Sequence, residues 1–531
     1  MNWIDYTLVV LYLLAMVAMG RMFKKSEAGG DYFLGGRSFG WFALCMSSMA
    51  TQLSVISFVS APAFVGLREG GGMQWLTFEF GVPIAMLVIM TIVAPALYRS
   101  RVLSIYSFLE QRFDANTRIL LSVAFMFSRS FATSVTVYAV CLILSSLLHL
   151  SFAWTMAIVG LTTVVYSLEG GMKAVVYSEV VQMFIKVSGI IMIIVYALGY
   201  LGGWDVFIEH VDKSRLQAVR FDSLGLNGDE YGFFPMLLGG IFLYCSYYGT
   251  DQMQAQRILS AKDMPTVKKI LLFNGLLRFP ITCAYCLGGL ILGTLVHMNA
   301  DFAAKIPLDA AGKMKTDLMV PVFIEHYLPH GVIGIIVVAI IAAAMSAYSS
   351  TLNSLSAVTM ESFLNQKKDF SGSKYVLYSK LVALVWGCIT MILAFFVGDI
   401  AKTVIEAINK IGSVFYGPIL GIFLLAILTK KTHARAANIS LIISILFNIY
   451  LWRFQPQLFW FWWNVIGCLM TIGLGVLLSR IVPAGQRPPA PDTEIGLTPI
   501  SWNIPEAYIL MGFFAFILIF TIYLPFIVNS M

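Results

Sequence analysis

Charge is scarce in this chain of 531 residues: 12% are Asp, Glu, Lys or Arg, while 59% are hydrophobic. That balance excludes a set of water-soluble domains, because there is far more apolar material than a soluble core can enclose. Cysteine is thin as well. The seven (Cys45, Cys141, Cys245, Cys283, Cys286, Cys388, Cys468) all fall in apolar segments without metal-ligand spacing, so they read as small packing residues and not as disulfides. No His-Glu-x-x-His, paired aspartate or Ser/His arrangement lies in the apolar runs, which argues against an intramembrane enzyme. Low-complexity tracts and soluble-domain stretches are lacking too. The first apolar run, Trp3 to Gly20, is long enough to span and lacks the basic start and small-residue cleavage site of a signal peptide.

What is present is a series of fourteen apolar runs of about 20 residues. They lie near 3–20, 39–67, 73–98, 119–148, 152–168, 175–202, 232–254, 268–297, 317–363, 375–396, 400–429, 434–454, 457–479 and 504–528. With the N terminus outside, alternation puts 21 Lys and Arg in inside loops and 9 in outside loops. This asymmetry predicts both termini outside and explains the net charge of +7 without a nucleic-acid partner. The Pro-rich stretch Pro483 to Pro491 reads as a cytoplasmic linker.

Two runs carry polar chemistry. In Ile340 to Leu364, Ser346, Ser349, Ser350 and Asn353 are spaced by three, four and seven, so they share one helix face, with Ala343 one turn earlier. Such a face serves helix packing or an ion site. In the second run, MATQLSVISFVSAPAFVG is poor helix, and a break at membrane depth frees backbone carbonyls that protein, water or an ion must satisfy. Broken helix and serine face together suggest a sodium site. The seventh run is interrupted in the same way by Gly239, Gly240, Gly249 and a polar end. Interrupted spans five apart are what an inverted-repeat transporter needs.

Ionisable groups inside the runs are costly and line a cavity or find a partner. The candidates are Glu79, Arg129, Lys186, Arg278, Glu406 and Lys410. Lys186, like Lys380, is expected to snorkel to an interface. Glu79 and Arg278 are expected at a site or as a mutual salt bridge.

The chain resembles the sodium:solute symporter family of sugar, sialic acid, monocarboxylate, vitamin and iodide cotransporters. The resemblance rests on DYFLGGRS (Asp31 to Ser38), ATQLS (Ala50 to Ser54), SFLEQRF (Ser107 to Phe113), EGGMKAVVYSEVVQ (Glu169 to Gln182), QRILSAKD (Gln256 to Asp263), LNSLSAVTMESF and INKIGSVFYGP (Ile408 to Pro418). It implies an all-α polytopic protein of the leucine-transporter type, with five plus five inverted helices. Within a single membrane domain, 1–531, it implies a leading helix at 3–20, repeats at 39–202 and 232–429, and three further helices at 430–531.

The resemblance also implies residue roles. Ala50 and Leu53 match the carbonyls, and Ala343 and Ser346 the opposing ligands, of the principal sodium site. Ala347 stands where many members have a second hydroxyl. Glu179 with Ser346, Ser349 and Ser350 matches a second sodium set, the alternative for Glu179 being a helix-end carboxylate in interfacial water. Glu79 and Arg278 match sugar-contacting positions. Gln52, Ser54 and Ser57 match polar substrate contacts of the sialic-acid branch, and Arg129 loosely matches its carboxylate-holding arginine. Tyr244 replaces a site Asn, and Asn409 lies beside the position of a site Gln. Tyr247 or Tyr248 is expected as an inner gate, or as an interfacial tyrosine.

The expected function is sodium-driven uptake of a small polar solute by alternating access, across the plasma (inner) membrane. An acidic sugar such as sialic acid stands ahead of neutral sugars and monocarboxylates. A sodium-leak channel or solute sensor is the rival from another class. Sodium, the solute and the lipid bilayer are the expected partners; the sequence does not give the oligomeric state.

Overall fold

The structure is a computed structural model and describes residues 1–23, 31–228, 230–309, 312–364, 372–396, 404–483 and 504–530. The Pro483–Pro491 linker falls almost wholly outside these residues. Among them, eleven helices are long and apolar enough to cross a bilayer, or twelve when the bent pair Trp41–Gln52 and Val55–Gly66 counts as one span. The fourteen expected runs therefore do not map one to one. Runs 152–168 and 175–202 fall in one helix, Phe152–Leu201, which departs from helical geometry at Gly171 (φ 52°, ψ −145°). Its 50 residues rise by roughly 75 Å, more than twice the hydrocarbon thickness, so the kink divides two crossing pieces. The helix at the start of the seventh run, Phe233–Gly249, has 17 residues, and Gln252–Leu259 follows after a break at Thr250 and Asp251.

Burial sorts the helices into centre and rim. The serine helix Val332–Thr359 lies at the centre, with 83% of its most apolar stretch enclosed, whereas Pro505–Val528 is 11% enclosed and lies at the rim. At the start of the serine helix, Asp5 of the leading helix Trp3–Met22 accepts the Gly331 and Gly334 amides at 2.7 and 2.9 Å, which satisfies helix-terminal donors with a carboxylate.

Glycine lets the second half of the bent span approach helix Met264–Met298. A Cβ built on Gly66 would lie 2.1 Å from the Gly289 carbonyl oxygen, and one on Gly293 2.3 Å from that of Gly66. Backbone-to-backbone packing of this kind is what small residues permit inside a membrane.

Candidate functional site

The site begins with a sequence that does not sustain a helix. Helix Trp41–Gln52 ends at Leu53, whose ψ of 83° is non-helical. Ser54 then caps the next turn, its Oγ accepting the Ile56 amide at 3.3 Å. The two halves meet at 72°. The Ser54 amide donates to the Gln52 carbonyl and the Ser57 amide to the Ser54 carbonyl, instead of to residues four back. Ala50 and Leu53 thereby keep carbonyls that helix pairing no longer satisfies, and buried carbonyls need another partner.

That partner is Lys186, on the second piece of the kinked helix. Its Nζ donates to the Ala50 carbonyl at 2.6 Å, the Leu53 carbonyl at 3.1 Å and the Ser346 hydroxyl at 2.6 Å. Lys186 is wholly buried, which corrects the snorkelling expectation: the stem points inward and its head stands at the break. Ser346 Oγ also lies 3.1 Å from the Ala50 carbonyl and 3.2 Å from that of Ala343. The oxygens expected for the principal sodium site thus surround one point. The donor set suits a monovalent cation, and the cation it holds belongs to the protein. Ala347 lines the neighbouring cavity instead.

The second expected set divides. Glu179 and Ser350 meet, but Ser346 belongs to the Lys186 cluster and Ser349 donates back to the Ser346 carbonyl at 3.2 Å. Glu179 is fully buried, not in interfacial water. Its oxygens accept from Ser47, from Thr51 at 2.9 Å and from Ser350 at 2.5 Å. Arg257 Nη2 joins both Glu179 oxygens at 3.1 and 2.8 Å and reaches Thr51 and Ser350 at 2.7 and 2.5 Å, while Nε donates to Ser47 at 3.0 Å. A guanidinium therefore occupies the middle of this set, tying the bent span, the kinked helix and the serine helix to Gln252–Leu259.

Between the bent span and helix Ala115–Leu148 lies a cavity of about 170 Å³. Gln52, Ser54, Ser57, Arg129, Tyr244, Tyr247 and Arg278 line it. Glu79 stands behind, fully buried, its carboxylate paired with the Arg278 Nη2 and Nε at 2.9 Å each and accepting from Thr282 at 3.1 Å and Tyr244 at 3.0 Å. Glu79 and Arg278 thus form the mutual salt bridge, and only the arginine reaches the cavity wall. Arg129 forms an ion pair with Asp251 and donates to the Tyr416 hydroxyl at 3.2 Å. It is therefore already matched by a carboxylate. Tyr248 donates to Gln52. Tyr247 faces the cavity, and its hydroxyl accepts from Gln254 at 3.1 Å, on the helix that carries Arg257. Asn409 and Glu406 lie in helix Val404–Leu428, but their side chains fall outside the described residues.

Sequence reasoning missed Asp251, Ser47 and Thr51, and it read Arg257 as an orientation signal. The signal for Arg257 was its place one turn after Met253, on a short helix following an interrupted span.

Comparison with known proteins agrees with this architecture. Residues 32–444 match the model of the sodium:solute symporter family. The sodium/sialic acid symporter SiaT of Proteus mirabilis is 25% identical, over 93% of this chain and 98% of that protein. The sodium/glucose cotransporter of Vibrio parahaemolyticus is 27% identical over 86% of each. A putative sodium-dependent multivitamin transporter of Drosophila melanogaster is 26% identical over 85% of this chain and 75% of its own length. Among solved structures, a Na+-coupled sialic acid symporter in a substrate-bound outward-open state superposes with a TM-score of 0.80 at 24% identity, covering 91% of this chain and 99% of that one. The fold is the leucine-transporter type.

Proposed function

The chain belongs to the sodium:solute symporter family, and from that premise we propose that it is a secondary active transporter that takes up one small polar solute by alternating access. It is a multi-pass membrane protein, not an enzyme, and sodium is the coupling ion of its family. The observation that carries the reading is the cavity at the break of the bent span, lined by Gln52, Ser57, Arg129, Tyr244, Tyr247 and Arg278. Broken helices with polar walls at mid-membrane form the solute site in transporters of inverted-repeat design.

The cavity also shapes the substrate reading. At about 170 Å³ it is smaller than the roughly 300 Å³ at which drug-sized pockets begin. Its two arginines bring no net positive charge, because Asp251 and Glu79 neutralise them. A neutral, hydroxyl-rich solute such as a monosaccharide fits this wall better than the acidic sugar expected from the arginines alone. The acidic sugar is the second reading, favoured by the bidentate geometry that Arg129 offers a carboxylate if Asp251 yields it.

On this reading the Arg257–Glu179 cluster closes the inner side, with both termini outside, and Tyr247 links that closure to the cavity through Gln254. Opening inward then requires Arg257 to leave Glu179 as the bent span separates from the serine helix. The test is reconstitution in liposomes with an inward sodium gradient and a panel of labelled monosaccharides, sialic acid and monocarboxylates. Accumulation of a solute above equilibrium is expected; sodium flux that no solute saturates would favour the leak-channel alternative.

A further inference from the structure

Three of the oxygens expected to hold sodium at the principal site are within hydrogen-bond reach of one ammonium, and the fourth, the Ala343 carbonyl, is tied to them through Ser346 Oγ at 3.2 Å. Lys186 Nζ has three hydrogen-bond partners: two carbonyls released by the break at Leu53 and one serine hydroxyl. None of these is a carboxylate, so the ammonium is held as a monovalent metal ion would be, by neutral oxygens. A buried cation loses several kcal/mol of hydration and persists only where dipoles or charges replace it. The unpaired carbonyls of the break supply those dipoles, and Ser346 closes the set from the opposite helix. Glu179 stands two turns earlier on the kinked helix, and its carboxylate is engaged by Arg257.

Two cations cannot share this point. A sodium ion placed among the Ala50, Leu53 and Ser346 oxygens would overlap Nζ, and at 4 Å two like charges already repel by about 4 kcal/mol at the effective dielectric of a protein surface. We propose that Lys186 is a tethered cation that competes with sodium for this one set of oxygens. While its ammonium is in place, the protein's own charge joins the bent span to the serine helix, and sodium binds there only when the ammonium withdraws. The inference rests on the transporter reading and deepens it, because it names the residue that sets how strongly sodium is felt at the principal site. Arg257 likewise places a cation of the chain itself in the second set, there against the Glu179 carboxylate.

The test reads ion binding without any solute. Wild-type protein and Lys186→Met are purified in detergent, and their unfolding temperatures are followed against sodium, with choline keeping ionic strength constant. The methionine keeps the length of the stem and removes the charge. The sodium concentration for half-maximal stabilisation is expected to fall at least ~10-fold in the variant, since a ligand that binds only the folded state stabilises according to its free concentration over Kd. Half-effect concentrations that coincide would overturn the proposal. Lys186→Gln, which keeps a donor without the charge, provides the same comparison where the methionine variant does not fold, and folding of either variant only in sodium supports the proposal. If neither folds in any salt, labelled-sodium binding to the wild-type protein decides. Tight binding, saturated well below physiological sodium, that Ser346→Ala abolishes contradicts the proposal; binding that needs sodium at or above that concentration supports it. Failure of the liposome assay with every solute would reject the transport reading and leave this ion-binding result standing.

Discussion

Lys186 Nζ lies 2.6 Å from Ser346 Oγ, joining the kinked helix to the serine helix at the height of the broken span. The same ammonium reaches the Ala50 carbonyl at 2.6 Å. One side chain therefore ties together three helices, two of which, the bent span and the serine helix, separate in the transport cycle proposed above.

Ser346→Ala removes one of the three acceptors from a buried cation. In the wild-type background the variant is expected to lose about 1–3 kcal/mol of stability, the usual cost of leaving a buried donor unsatisfied. In the Lys186→Met background the same change should raise the sodium concentration for half-maximal stabilisation. A double variant with the sodium response of Lys186→Met alone would remove Ser346 from the cation site.

Arg257→Met leaves the Glu179 carboxylate buried among Ser47, Thr51 and Ser350 without a countercharge. Breaking a buried ion pair by removing one partner costs roughly 3–5 kcal/mol. Chemical unfolding in detergent should show that loss, and adding Glu179→Gln should recover part of it. A double variant less stable than Arg257→Met would show that Glu179 keeps a stabilising role without the arginine.

Asp251→Asn releases Arg129 from its carboxylate partner. Competition of acidic sugars and monocarboxylates for uptake is expected to strengthen by ~10-fold or more relative to neutral sugars, equivalent to about 1.4 kcal/mol. An unchanged order of competitors would contradict the charge balance assigned to the cavity.

Gly66→Ala tests the scaffold apart from the site. The new methyl group would stand 2.1 Å from the Gly289 carbonyl oxygen, and backbone cannot move aside cheaply at that distance. A loss of roughly 1–3 kcal/mol, the usual penalty of overpacking, is expected in the unfolding transition, together with reduced expression. Wild-type stability would mean that the two helices separate there more readily than their packing implies.

The broken span was legible because Thr, Ser and Val followed by Pro62 and Gly66 weaken a helix wherever they stand, and the serine face was legible because spacing fixes which side chains share a side. Lys186 was not. A lone lysine in an apolar run has the same letters whether its stem runs out to the interface or in to a break, and only the rotation of the helix against its neighbours decides. Arg257 was hidden by its place in a basic segment expected on the inside, where charge ordinarily sets orientation. Asp251 stands beside an interruption that the glycines already explain. The resemblance placed Ala50, Leu53, Ser346 and Glu179 beside expected ions, and it carried no information about the cations that this chain supplies itself.

Equilibrium binding of labelled sodium to purified wild-type and Lys186→Met proteins, at matched ionic strength and without solute, tests the central claim most directly. The account predicts that the variant binds sodium at least ~10-fold more tightly than the wild-type chain, and that Ser346→Ala in the variant removes the gain. Identical binding curves for the two proteins would contradict it.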